Sequence, residues 1–265
     1  MATTAIEVKT VNSLKIADEF FNALGIPFWI EAGTALAAWR DGKLLDWDHD
    51  IDIAIWYEDC PGHDQWLEYF AKTPYQVIFQ KELPYLDNII QLRLKDPSTD
   101  HVMDIDIYLY KRQGGSAYMR WIHNPVGILS GPKRALFSYF SQLLKPRTPK
   151  WKMVSNLAPY AFRHALFWFY LRIYLLTTDA IFHRFDEDLF LNLKTITLYG
   201  MKVRIAADTD RYLAHRYGEN WKKPDPNYNQ QGTWKKSGAR PRLPLNLLPP
   251  PKKIEKFDIK AYDKA

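Results

Sequence analysis

Residues 47–55 read Trp47-Asp48-His49-Asp50-Ile51-Asp52-Ile53-Ala54-Ile55, three carboxylates at alternate positions leading into an apolar run. The stretch 50–57, DIDIAIWY, is nearly unbroken in its apolar positions, as a strand central to a sheet is. Side chains alternate along an extended strand, so Asp48, Asp50 and Asp52 are expected on one face and His49, Ile51 and Ile53 on the other. Three ionised acids this close repel one another, and seating them beside a packed sheet costs desolvation unless something positive compensates. Carboxylates on one face suit a hard cation such as Mg²⁺. A solvated acidic turn leading into a core strand is the other reading of the same residues.

Outward from this strand, Leu14, Ala17, Phe20, Phe21 and Leu24 fall at helical spacing and predict an amphipathic helix over 12–24, stopped by Gly25. PFWIEAG reads as a short strand ending at Gly33, and TALAAWR as a short helix after it. Downstream, a helix over 64–72 precedes three candidate strands, YQVIFQK, IIQLRLK and VMDIDIYLY. This order predicts an α+β (mixed α/β) domain, a mixed sheet flanked by helices, over 1–110. Residues 111–195 read as an accessory region in which RQGG, GPKR and KPRTPK punctuate aromatic stretches. Residues 196–226 read as a hairpin turning at Tyr199-Gly200, then a helix capped by Asp208 and stopped by Gly218. Residues 227–265 read as an extended basic, Pro-rich tail.

The chain of 265 residues is 47% hydrophobic, 25% charged and 15% aromatic, with a net charge of +6, which suits an anionic partner. A single cysteine, Cys60, excludes an intramolecular disulfide and a cysteine-rich zinc site. The N-terminal residues lack the pattern of a secretory signal, so a cytoplasmic location is expected, with peripheral contact on the inner membrane face as a further expectation. The most apolar segment, 157–182, is interrupted by Arg163, His164 and Arg172, which argues against a membrane span. A buried aromatic helix is the first reading of it and an interfacial helix the second.

Two features strengthen the metal reading. VMDIDIYLY repeats the alternation, placing Asp104 and Asp106 on one strand face, where either could join Asp50 and Asp52. Gly33-Thr34 stands where a strand gives way to a helix, and a helix N-terminus with free N–H groups is an anion site. The order of a Gly-Thr turn and two Asp-Ile-Asp strands resembles the nucleotidyltransferase superfamily. More closely, EAGTALAAWRDGKLLDWDHDIDIAI is similar to the signature of the LicD family, the phosphorylcholine transferase and fukutin-related proteins. Gly33, Thr34, Leu36, Arg40, Gly42, Trp47, Asp48, Asp50 and Asp52 fall at its motif positions. IDIYLY resembles the family's second acidic strand, and YGMKVRIAADTDRYLAHRYGENWKKPDP its closing segment. His49 stands where many bacterial members carry another Asp.

The resemblance implies transfer of a phospho-alcohol, such as phosphocholine or ribitol phosphate, from a CDP-activated donor to a sugar hydroxyl of a glycan or lipid-linked glycan. It implies Asp50, Asp52 and Asp106 as catalytic ligands of Mg²⁺ or Mn²⁺, with Asp106 also orienting or deprotonating the acceptor. Gly33, Thr34 and Arg40 would contact donor phosphates, and Asp48 would be either a further metal ligand or, the first reading, a loop anchor behind the substrate site. Asp104 remains an alternative third acid, and Arg40 a structural partner of Asp41, Asp46 or Glu31. No nucleic-acid partner is expected. The rival functions are nucleotide transfer to a protein, RNA or small molecule, and ligand binding without catalysis.

Overall fold

Two strands with the same Asp-Ile-Asp pattern lie side by side at the centre of the sheet. The computed structural model describes residues 5–45, 48–79, 89–98, 102–122, 129–144, 148–177 and 180–224. The N-terminal elements are α1 (Ala5–Ala23), β1 (Trp29–Ile30), α2 (Ala32–Asp41), β2 (Asp50–Trp56), α3 (His63–Phe70), β3 (Gln76–Phe79), β4 (Ile89–Lys95), β5 (Val102–Gln113) and β6 (Ser116–Ile122). Helices α4 (Ser130–Leu144), α5 (Pro149–Asn156) and α6 (Tyr160–Thr177) follow. The chain then forms β7 (Ala180–Asp186), α7 (Asp188–Leu191), β8 (Lys194–Leu198), β9 (Met201–Ile205) and α8 (Thr209–Tyr217).

The sheet order is β1-β2-β5-β4-β3, with β6 joined to β5 and β7 to β6. β2 and β5 pair in parallel, whereas β1, β4 and β3 attach antiparallel. The mixed sheet flanked by helices is the predicted architecture. On one face Ile51, Ile53, Ile55, Ile105 and Ile107 are buried, as are Leu14, Ala17, Phe20 and Phe21 of α1. Phe20 also stacks on Trp66 of α3, ring centroids 4.1 Å apart. The opposite face changes character along the strands. It begins with Asp50 and Asp52 on β2 and Asp104 and Asp106 on β5, then continues into Trp56, Tyr108 and Tyr110. Those rings join Trp29, Phe185, Phe190 and Tyr212 in an aromatic core, with Trp29 stacked on Phe190 at 5.1 Å and Phe185 against Tyr212 at 5.2 Å.

Several predicted boundaries shift. α1 starts seven residues before the expected 12, and α2 begins at Ala32, so Gly33 lies in its first turn rather than at a strand end. β5 runs through the expected boundary at 110, and Gly114-Gly115, both at positive φ, turns it into β6. The region read as accessory, 111–195, therefore holds the β5–β6 hairpin turn, helices α4 to α7 and β7. The Tyr199-Gly200 hairpin, the Asp208 cap on the Arg211 N–H at 3.1 Å, and the stop at Gly218 are as expected. The tail beyond 224, and Asp46 and Trp47, lie outside the described residues.

By their contacts, the described residues up to 120 and from 182 to 224 group into one compact unit, and those from 121 to 181 into another. In the second unit, α6 packs one side on α4 through Phe137–Tyr174 at 4.9 Å and Phe140–Tyr170 at 4.2 Å. The expectation of a buried aromatic helix holds only for that side: Phe167 and Tyr174 are buried, whereas Phe162, Phe169 and Ile173 are exposed. No helix among the described residues is long and apolar enough to cross a membrane.

Candidate active site

The parallel register sets Asp50 opposite Asp104 and Asp52 opposite Asp106. From β4, Arg93 stands across from Asp104 and Gln91 across from Asp106. Arg93 donates through Nε and Nη2 to both oxygens of Asp104, at 2.7 and 3.0 Å. Gln91 Nε2 donates to both oxygens of Asp106, at 3.1 and 3.2 Å. The two acids are thereby distinguished: a guanidinium neutralises Asp104, while a neutral amide orients Asp106 and leaves its charge in place. Asp48, His49, Asp50, Gln91, Leu92, Arg93, Asp104 and Asp106 line a cleft of about 340 Å³. His49 opens into this cleft, contrary to the expected opposite face, because β2 begins only at Asp50 and strict alternation does not extend back to it.

Asp52 is the most enclosed of the acids. The Gly33 N–H donates to its Oδ2 at 2.9 Å and the Tyr108 hydroxyl to its Oδ1 at 3.0 Å. Its own N–H donates to Thr34 Oγ1 at 2.8 Å, and its carbonyl accepts from the Glu31 N–H at 2.9 Å. The first turn of α2 and the start of β2 thus clamp each other. The helix N-terminus read as a phosphate cradle faces a carboxylate of the chain itself, the charge its dipole favours. Ala32, at a positive φ of 45°, gives its N–H to the Tyr212 hydroxyl at 3.0 Å. A Cβ on Gly33 would sit 3.2 Å from both Asp48 Oδ2 and Asp52 Oδ2, so any larger residue would require both carboxylates to give way by a few tenths of an ångström.

Burial, then the carboxylates of Asp50, Asp106 and Asp48, hold the Asp52 carboxyl well above the ordinary range, against the opposing pull of Arg216. Asp48 is pushed up to about 7, first by burial and then by its hydrogen bond to Asp50 and the charges of Asp50 and Asp106. Burial and Asp52 raise Tyr108 far above its usual value, which keeps its hydroxyl a donor to Asp52. These groups were brought together by the fold, and their mutual repulsion is what a divalent cation among them would relieve. As they stand, no three His, Cys, Asp or Glu side chains among the described residues converge closely enough to form a metal-binding group.

Behind Asp52 lies a buried network that the sequence reading missed. Glu31 Oε1 accepts from Arg216 Nη1 and the Tyr110 hydroxyl, both at 2.8 Å, and from the Tyr212 hydroxyl. Trp29 Nε1 donates to Glu31 Oε2 at 3.2 Å. Glu31 and Arg216 have side-chain exposures of 0% and 1%, so neither charge has solvent to fall back on. Arg216 also lies over the Tyr108 ring at 5.4 Å, and its buried Nη2 lacks a hydrogen-bond partner. A signal was present for the tyrosines: Tyr108 and Tyr110 continue the alternation of Asp104 and Asp106 onto one strand face. Arg40 is held by Asp41, through Nε at 2.8 Å and Nη2 at 2.7 Å, the structural pairing left open in the sequence.

A mixed sheet carrying two acidic strands in register, with a helix N-terminus abutting them, defines a nucleotidyltransferase-like domain. Residues 25–146 match the family model described as LicD/FKTN/FKRP, nucleotidyltransferase domain. The human protein Ribitol 5-phosphate transferase FKRP is 40% identical over 43 residues, which cover 16% of this chain and 9% of that protein. Human Ribitol-5-phosphate transferase FKTN is 35% identical over 46 residues, 17% of this chain and 10% of that protein. The Uncharacterized protein RP689 of Rickettsia prowazekii (strain Madrid E) is 34% identical over 68 residues, 26% of each chain. The chain thus spans about a tenth of the length of the ribitol-phosphate transferases to which it is similar.

Proposed function

We propose that the protein transfers a phospho-alcohol, such as ribitol phosphate or phosphocholine, from a CDP-activated donor to a sugar hydroxyl of a glycan or lipid-linked glycan. The observation that carries this reading is the register of the two acidic strands, Asp50 beside Asp104 and Asp52 beside Asp106, on the cleft of a LicD-type domain. The similarity to two proteins named ribitol-phosphate transferases supports a phospho-alcohol as the group transferred.

In this reading the acceptor oxygen forms a bond to the alcohol-bearing phosphorus while the bond from that phosphorus to the bridging oxygen of CMP breaks. Asp106, oriented by Gln91, takes the proton of the acceptor hydroxyl. Asp50, Asp52 and Asp106 would hold Mg²⁺ or Mn²⁺, which would neutralise the charge that develops on CMP. Gly33, Thr34 and Tyr108 act through Asp52, fixing both of its oxygens and its backbone. Asp104, neutralised by Arg93, shapes the cleft. Arg40 would reach a donor phosphate only by exchanging its Asp41 partner.

The test is CMP release from a panel of CDP-alcohols with purified protein, Mg²⁺ and glycan acceptors, comparing wild type with Asp50→Asn and Asp52→Asn. Metal-dependent release, lowered at least a hundredfold by either change, is expected. Label on the alcohol-side phosphate should pass to the acceptor. Label arriving from the CMP phosphate instead would make the protein a nucleotidyltransferase. No release with any donor, together with no metal-dependent nucleotide binding by calorimetry, would sink the enzymatic reading.

A further inference from the structure

We propose that the helical unit docks on an anionic lipid bilayer through the exposed face of α6 and the neighbouring turn from α5. Three observations carry this. The first is an exposed apolar stripe: Phe162, Ala165 and Phe169 follow one another at steps of three and four along α6, and all are exposed. Phe162 and Phe169 are 62% and 65% exposed, and Met153 and Leu157 at the α5 to α6 turn are 66% and 81% exposed. The second is concentration. Nine of the thirteen exposed large apolar side chains among the described residues lie between Leu129 and Ile173, so exposed apolar groups are concentrated in this unit.

The third is charge. Residues 121–181 contain eight Lys or Arg against one acid, Asp179, a net +7, so the remainder of the chain sums to −1 and the positive balance of +6 resides here. Lys150 and Lys152, exposed on α5, flank Met153. Exposed aromatic and aliphatic groups edged by cations, in a unit with eight basic residues to one acid, match the two layers of an anionic bilayer surface: acyl chains for the stripe, phosphate and carboxylate headgroups for the lysines. A second copy of the unit, equally cationic, would be repelled from the same face. α6 is also unsuited to spanning, since Arg163 is tied by Nε to the Ala158 carbonyl at 3.1 Å and by Nη1 to the Leu143 carbonyl at 2.5 Å. This inference goes beyond the transferase reading and does not depend on it.

The experiment is co-sedimentation of the full chain with vesicles of phosphatidylcholine alone and with roughly 30% phosphatidylserine. Three proteins are compared: wild type, Phe162→Glu/Phe169→Glu and Lys150→Glu/Lys152→Glu. Each change is at the surface, and circular dichroism confirms that the variants fold. Wild type is expected to bind the anionic vesicles at least tenfold more tightly than the neutral ones, with a tenfold or greater loss in the Phe variant and a smaller, salt-sensitive loss in the Lys variant. Unchanged basal CMP release by both variants would separate docking from catalysis. Binding that ignores the Phe substitutions would reduce the effect to charge adsorption and overturn the proposal. A wild-type dimer that the Phe variant dissociates, with no vesicle binding, would assign the stripe to a second copy instead.

Discussion

The Asp48 carboxyl is pushed up to about 7 by burial and by the neighbouring carboxylates, against roughly 3.9 in an unfolded chain. Between those values the folded chain holds a proton that the unfolded chain has released. Stability therefore falls as pH rises from about 4 to about 7, and the loss is complete above that. Asp52, also shifted upward, acts in the same direction. Asp48→Asn should leave the Tm unchanged near pH 4 and raise it at pH 8, as thermal scans across that range would show; a lower Tm at pH 8 would mean that the ionised Asp48 is stabilised in place. Protons and Mg²⁺ would compete for these carboxylates, so metal affinity measured by calorimetry is expected to weaken below pH 7. Gly33→Ala probes the same point differently. Alanine favours a helix over glycine by about 0.5–1 kcal/mol, yet its Cβ would crowd Asp48 and Asp52 at 3.2 Å. Activity should fall tenfold or more while Tm moves by only a few degrees, and equal losses in both would point to a general packing role.

The closing helix α8 is fastened to the site by one buried ion pair, and removing one partner leaves the other charge without solvent or counter-charge. Arg216→Met should cost about 3–5 kcal/mol in urea unfolding, and adding Glu31→Gln should recover part of it. A loss under about 1 kcal/mol would mean that water reaches Glu31. This pair also shows where sequence reading stops. The Asp-Ile-Asp alternation was enough to place Asp50, Asp52, Asp104 and Asp106 on strand faces, and the Tyr199-Gly200 and Gly218 signals placed the closing hairpin and helix stop. Which acidic strand pairs with which is a tertiary property, as is the choice of Arg93 for Asp104 and Gln91 for Asp106. Glu31 and Arg216 are 185 residues apart, and nothing local to either announces the other. Gly114-Gly115 was legible as a break, but a tight hairpin and a flexible connection begin with the same residues.

At the scale of the whole molecule the helical unit has the character of an insertion. The chain leaves the sheet through β6 and returns through β7, and these strands pair. The Arg184 Nε donates to Ser116 Oγ at 3.1 Å and the Glu187 N–H to the Gly115 carbonyl at 3.0 Å, so the two strands run in opposite directions and the exit and return points are neighbours. Closing such a gap costs little, since loop entropy changes by only about 0.6 kcal/mol per doubling of length. Replacing residues 123–178 with a short Gly-Ser linker should therefore yield a chain that unfolds cooperatively and binds nucleotide with Mg²⁺, but no longer sediments with anionic vesicles. The match to the LicD family runs to residue 146, past the end of α4. If the shortened chain fails to unfold cooperatively, α4 is part of the catalytic fold, and a second variant lacking only 148–178 separates that result from a failure of the linker.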